Sequence, residues 1–280
     1  MCRKRALAAT VQMLGPSIVS AFVGAAALCV PPALAAPAPA SAQATTPAPA
    51  APAKSTAATP AAKPKASPEV RAQAERLDPL SRAAFWASQV DADRKDAEAG
   101  IRLASALRAL GRYDEAWAAA EAVLVLQPKN IDALLEQARV ALAGGQGFYA
   151  VEPTRKALQI APREWRAATL LAVALEQAQR PAEAMEAHRK AMQMAPDNAV
   201  VLSNAAMFFA AQGDRGQAET LLRKAAARPD ATLQVRQNLA LVLGLQGKLA
   251  EAEQIEREDL PPQMAQANLD YLKAASDALK

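Results

Sequence analysis

A period of 34 residues restricts what this chain can fold into more than any other feature. Ala104, Ala138, Ala172, Ala206 and Ala240 fall on one phase, and Ala116, Ala150, Ala184, Ala218 and Ala252 on another. Gly111, Gly145, Gly213 and Gly247 hold a third phase, with Gln179 as its exception, and Pro128, Pro162 and Pro196 hold a fourth. In an alanine-rich chain a single match means little, but the glycine and proline phases together do not follow from composition. Periods of this size belong to stacks of one supersecondary unit. Here the unit reads as two antiparallel helices. Small residues in the middle of both let the backbones close up, so that Leu103, Leu107 and Leu124 pack around the seam. Glycine at the turn can take the left-handed conformation that ends the first helix. Proline after the second helix lacks an amide donor and stops it. Asn130 and Asn198 then stand where N-caps are wanted.

The stretch 109–130, ALGRYDEAWAAAEAVLVLQPKN, resembles the Leu-Gly-x-Tyr-x-x-Ala … Pro part of the tetratricopeptide repeat. That resemblance implies an all-α fold, a tetratricopeptide-repeat α-solenoid of antiparallel helix pairs. Four units are expected at 97–130, 131–164, 165–198 and 199–232, and a degenerate fifth at 233–262, making 97–262 the repeat region. Residues 67–96 read as N-terminal capping helices that lay Phe85 and Trp86 on the first full unit. Residues 263–280 read as a C-terminal capping helix, with Met264, Leu269, Tyr271 and Leu272 available to close the last apolar face, because an open end would expose core. The motif's usual tryptophan is replaced at the fourth position by Gly100, Leu134, Ala168, Leu202 and Arg236.

The N-terminus has the parts of a secretory signal peptide: a basic start, MCRKR, an apolar run over 17–30, and a small-residue exit. Residues 1–35 are read as that peptide, cleaved after Ala35. An uncleaved membrane anchor and lipidation at Cys29 are the other two readings, the latter set against Leu28 where a small residue is wanted. Both cysteines, Cys2 and Cys29, lie inside this segment, so cleavage would leave no disulfide or thiolate chemistry. Residues 36–66 are almost wholly Ala, Pro, Ser, Thr and Lys. Such a composition has nothing large to bury and reads as a disordered linker. The formal charge of +4 also belongs to these parts. Without Arg3, Lys4 and Arg5 it is +1, and without Lys54, Lys63 and Lys65 as well it is −2. The basic balance is therefore no argument for a nucleic-acid partner.

No catalytic constellation stands out, and the chain reads as non-enzymatic, without cofactor or metal. The single histidine, His188, falls on a second helix near the inter-helix seam and reads as a packing residue. Gly144-Gly145-Gln146-Gly147 lacks the Lys-Ser/Thr that would follow in a phosphate-binding loop. A stacked array instead offers a curved face lined by first helices. The candidate partner-binding groove comprises Arg102, Ser105, Arg108, Arg139, Arg166, Thr169, Asn204 and Asn238, with Leu241 beside them. Its arginines are suited to carboxylates and peptide backbone.

The C-terminal part carries a narrower resemblance. VRQNLALVLGLQGKLAEAE, Asp259-Leu260-Pro261-Pro262 and Ala267-Asn268-Leu269-Asp270-Tyr271-Leu272 are similar to the end of the TadD-like repeat proteins of tight-adherence (Flp, type IVc) pilus assembly. DPLSRAAFW at 78–86 and the stretch 96–116 resemble the N-terminal part of the same family. The resemblance implies an exported, periplasmic scaffold, in some members envelope-associated. It would assemble or localise the pilus secretion machinery by binding a secretin or other pilus components. Its membrane contact would come only through an uncleaved or lipidated N-terminus. The alternative is another exported repeat adaptor, in envelope biogenesis or polysaccharide export.

Overall fold

Helices cover nearly all of what the computed structural model describes, residues 65–278. The expected leader at 1–35 and the expected linker up to residue 64 lie outside the described residues. Among the described residues there are thirteen helices and no strand. Two short capping helices come first, α1 (Pro68–Ala74) and α2 (Pro79–Ala92). Five hairpins follow: α3 (Ala97–Ala109) with α4 (Tyr113–Leu126), α5 (Ile131–Ala143) with α6 (Gly147–Ile160), α7 (Trp165–Gln177) with α8 (Pro181–Met194), α9 (Ala199–Ala211) with α10 (Arg215–Ala226), and α11 (Leu233–Leu245) with α12 (Leu249–Asp259). A longer helix, α13 (Pro262–Ala278), closes the chain.

From α2 onward each helix packs on the next in sequence, and each first helix of a hairpin also touches the first helix of the following one. That second set of contacts makes the stack a solenoid with first helices on its inner side. Its cause is in the two alanine phases: all ten alanines on them are fully buried. Methyl groups at mid-helix let the backbones approach closely, and the leucines, Val242 and Phe208 pack around them. No helix among the described residues is long and apolar enough to cross a membrane.

The turns follow the same periodicity. Gly111 has φ 73° at the turn between α3 and α4, and its amide donates to the Arg108 carbonyl at 3.0 Å. At the same phase of the third unit Gln179 adopts φ 59°, so the position imposes the left-handed conformation even on a residue with a Cβ. At the helix starts, Asn130 accepts from the Ala133 amide at 3.0 Å. Asn198 accepts from those of Val200 and Val201 at 3.0 and 3.1 Å. The same phase is served by Asp96 and Glu164.

The ends are closed by polar joints. At the N-terminal end Trp86 is buried, its indole N–H donating to Glu75 Oε1 at 2.9 Å. Arg71 lies over its ring, 5.5 Å from the centroid. The buried Arg71 guanidinium meets Asp96 at 2.5 Å and Glu98 at 2.7 Å, while Lys65 approaches Asp96 at 2.9 Å. Burial works against the Asp96 carboxylate, but hydrogen bonds from Arg71, Lys65 and the Ala99 amide outweigh it and lower its pKa to about 2. At the C-terminal end Leu272 of α13 fills the space left by Gly244 of α11, where a Cβ would stand 2.8 Å from its methyl carbons. Met264 and Leu269 are half-buried, but Tyr271 points outward and is 39% exposed. The buried face of α13 runs instead through Ala265, Asn268, Leu272 and Ser276.

Candidate functional site

The inner side of the stack carries most of the residues expected to form a groove, and they are tied to one another. On α3, Arg108 Nε donates to Glu136 Oε1 of α5 at 2.7 Å, and Arg108 Nη2 donates to the Ser105 hydroxyl at 3.3 Å. Arg139, one helical turn beyond Glu136, donates to its other oxygen at 3.2 Å. Glu136 itself is only 3% exposed. One buried carboxylate is thus shared by two half-buried guanidinium groups, and the trio keeps a formal charge of +1.

The row continues on α7. Arg166 holds Glu164 through Nε and Nη2 at 2.9 and 2.8 Å, and reaches back to Asp132 of α5 at 3.0 Å. The hydrogen bonds from Arg166, the first cause, hold the Glu164 carboxyl below its ordinary range, with burial opposing and the charge of Arg139 assisting. The same hydrogen bonds, accepted by Glu164, raise the pKa of the Arg166 guanidinium. Arg108, Arg139 and Arg166 with Asp132, Glu136 and Glu164 form one alternating strip across three first helices. Arginine forks suit this, because each can serve two carboxylates in fixed geometry.

Other members of the expected groove sit differently. Arg102 lies apart from the strip and meets Glu75 of the N-terminal cap at 3.4 Å. Thr169 is buried, its hydroxyl donating to the Trp165 carbonyl of its own helix at 2.8 Å. Asn238 is also buried: its amide donates to the Ser203 hydroxyl at 3.0 Å and its oxygen accepts from Gln234 at 2.9 Å. Asn204 is half-buried and makes no side-chain hydrogen bond within the described residues. Leu241 is half-buried as well. Of the expected groove, the arginine strip, Arg102 and Asn204 keep solvent-accessible side chains, while Thr169 and Asn238 lie in the seam beneath.

His188 is fully enclosed, 2.5 Å from Glu176 through Nε2 and packed on Phe208 with ring centroids 5.0 Å apart. Among the described residues no group of three or more His, Cys, Asp or Glu could hold a metal ion.

Two aromatic residues that the reading of the inner face did not include stand on the outer side. Phe148 and Tyr149 open α6 and are 71% and 60% exposed. Their signal was present in the period: the same phases hold Asp114 and Glu115, Ala182 and Glu183, Gly216 and Gln217, and Ala250 and Glu251.

Comparison with known proteins bears on this architecture. The profile described as "Tetratricopeptide repeat" matches residues 232–260. Among solved structures, a thermophilic tetratricopeptide-repeat protein of Thermus thermophilus is 25% identical, with a TM-score of 0.56 over 63% of this chain and 98% of that one. A tetratricopeptide-repeat protein from Parabacteroides merdae is 14% identical, with a TM-score of 0.60 over 74% of this chain and 86% of that one. No curated protein sequence matches the chain.

Proposed function

We propose that this tetratricopeptide-type solenoid is a scaffold of the tight-adherence (Flp) pilus assembly machinery, working on the periplasmic side of the envelope. The coarse part of the statement follows from the fold: arrays of this kind suggest protein–protein interaction. The finer part is supported by one observation. The non-consensus residues that carry the likeness to TadD-like proteins, Asp259-Leu-Pro-Pro and Ala267–Leu272, build the terminal joint. Asp259 receives Arg236 at 2.8 Å, and Asn268 donates to Glu256 at 2.9 Å. Generic repeats need none of these residues, which here give the stack a particular way of ending.

The test is affinity capture of the tagged full chain from envelope extract, with the intact mass of the purified protein. Recovery of a secretin or other pilus-assembly protein, lost on Arg102→Glu/Asn204→Ala, two inner-face substitutions that leave the Arg108–Glu136–Arg139 trio intact, supports the reading. Recovery of polysaccharide-export components in their place, or capture unaffected by those substitutions, defeats the pilus role or the use of the inner face respectively. An N-terminus at Ala36 would establish export with cleavage.

A further inference from the structure

The outer side of the second hairpin carries a groove between α4 and α6, about 550 Å³ in volume, walled by Trp117, Val125, Phe148, Tyr149 and Pro153. Three of these side chains are far more exposed than such residues usually are: Val125 72%, Phe148 71% and Tyr149 60%. Their repeat counterparts are polar or small. Val125 corresponds to Gln159 and Gln193, and the aromatic pair stands at phases otherwise held by Asp, Glu, Gln, Ala and Gly. Phe148 and Tyr149 meet edge to face at 5.7 Å, which fixes one ring against the other. Pro153 inside α6 has no N–H, so the Tyr149 carbonyl lacks its usual helical donor. Neighbouring Thr154 turns its hydroxyl onto the Ala150 and Val151 carbonyls instead.

Aromatic walls suit an extended, proline-rich peptide, whose pre-formed helix loses little entropy on docking. The chain contains such a peptide. Residues 47–54 read PAPAAPAK. In a polyproline helix, with three residues per turn, Pro49 and Pro52 would share one face and the alanine amides between them could donate. Lys54 follows, and the one charged residue that α4 contributes to the groove is Glu121. The rest of the rim is mixed, with Glu152, Arg155 and Lys156 on α6 and Arg180 just before α8, which favours placing the lysine end toward α4.

We propose that this groove is the docking site of the chain's own segment 47–54. Geometry permits it. The described chain begins at Lys65, whose ammonium is held at Asp96, the start of α3. In this antiparallel hairpin the start of α3 lies beside the end of α4, as the contact of Gly100 with Val123 shows. The groove mouth near Val125 is thus about one helix spacing of ~10 Å away. The stretch between Pro52 and Lys65 reaches ~40 Å at the polyproline rise. A tether of this length holds the segment at roughly millimolar effective concentration, enough to occupy a weak groove within one molecule. Docking would cover the apolar patch and shorten the linker's free reach, so a competing proline-rich partner would lengthen it again.

The test uses the full chain with p-benzoylphenylalanine in place of Phe148, prepared as a mixture of normal and isotopically heavy protein. Irradiation is expected to give mainly intrachain products joining residue 148 to the peptide around 47–54. Pro49→Gly/Pro52→Gly should lower their yield several-fold, and the same photoprobe at Gln254 should give none. Mixed heavy–light products, which would mean that a second copy occupies the groove, overturn the proposal. So do the absence of intrachain products and a yield indifferent to the prolines.

Discussion

Replacing Asp96 by Asn should loosen one end of the stack and leave the other intact. Asp96 has two roles: its carboxylate caps α3 through the Ala99 amide at 3.1 Å, and it neutralises the buried Arg71 at 2.5 Å. Asparagine caps as well as aspartate, so the substitution isolates the charge. Breaking a buried ion pair by removing one partner costs about 3–5 kcal/mol. Arg71 keeps Glu98, a half-exposed partner at 2.7 Å, which argues for the lower end. An independent route agrees: a pKa lowered from 3.8 to about 2 corresponds to about 2.5 kcal/mol of stabilisation at neutral pH. The sign follows from the depressed value: the contribution is complete above pH 3.8 and disappears as pH falls through about 2. In a linear array the loss should stay local. Amide exchange followed by mass spectrometry should show protection in α1 and α2 reduced about 50-fold, with α9 to α12 unchanged. Protection within about threefold of the parent would refute the claim that this pair holds the cap. A loss spread evenly over the chain would refute its locality.

Other substitutions test the seams and the inner face. Gly147→Ala would set a Cβ 2.3 Å from Gln177 Cβ and 2.8 Å from the Ala174 carbonyl oxygen; the urea midpoint should fall by the equivalent of about 2 kcal/mol, although alanine is ordinarily the better helix former. Gln179→Gly removes the Cβ from a residue at φ 59° and should raise thermal stability by roughly 0.5–1 kcal/mol. Arg108→Glu would face the buried Glu136 carboxylate with a second one and leave it Arg139 alone. A destabilisation of about 2–3 kcal/mol in a denaturant melt is expected.

The repeat was legible because it is written in residues whose effect is local and steric. Ala104 and its counterparts limit the helix spacing, Gly111 permits the turn, and Asn130 and Asn198 serve the caps whatever surrounds them. Trp86, expected on the first full unit, meets Glu75 and Arg71 of the cap itself, whereas the closing helix followed from hydrophobic spacing. Tyr271 did not, because its seat depends on how far α13 rolls on Gly244, which no periodicity specifies. The inner face was legible only as a set of positions. Arg108 and Arg166 were placed on it by phase, yet their partners Glu136 and Asp132 lie 28 and 34 residues away. Whether an arginine fork turns toward solvent or toward a neighbouring carboxylate is decided by packing. Phe148 and Tyr149 went unread for a different reason: the expected groove was confined to first helices, and only comparison with the polar and small residues at their phase places the pair outside.

The two ends of the stack should respond to pH with opposite signs, and Glu256 carries the second. It is 2% exposed, accepts from Asn268 at 2.9 Å and, with the Gln237 amide turned to donate, from that side chain at 3.0 and 3.1 Å. Burial raises its pKa above 4.5, Asn268 opposes the rise, and the charge of Asp259 adds to it. An acid whose folded pKa lies above its unfolded value binds more protons folded than unfolded, so stability is greatest below the unfolded pKa and declines as pH rises through the folded one. Docking of α13 on α11 and α12 should therefore be tighter near pH 4 than near pH 7, over a range where the Arg71–Asp96 joint is only beginning to weaken. Glu256→Gln should remove most of this slope and leave docking at neutral pH as strong as in the parent or stronger. Exchange protection in α13, corrected for the intrinsic rate at each pH, measures it. Protection that rises steadily from pH 4 to 7 in the parent, or a slope unchanged in the Gln variant, would mean that the Glu256 charge is compensated by Asn268 and Gln237, and that burial does not govern this joint.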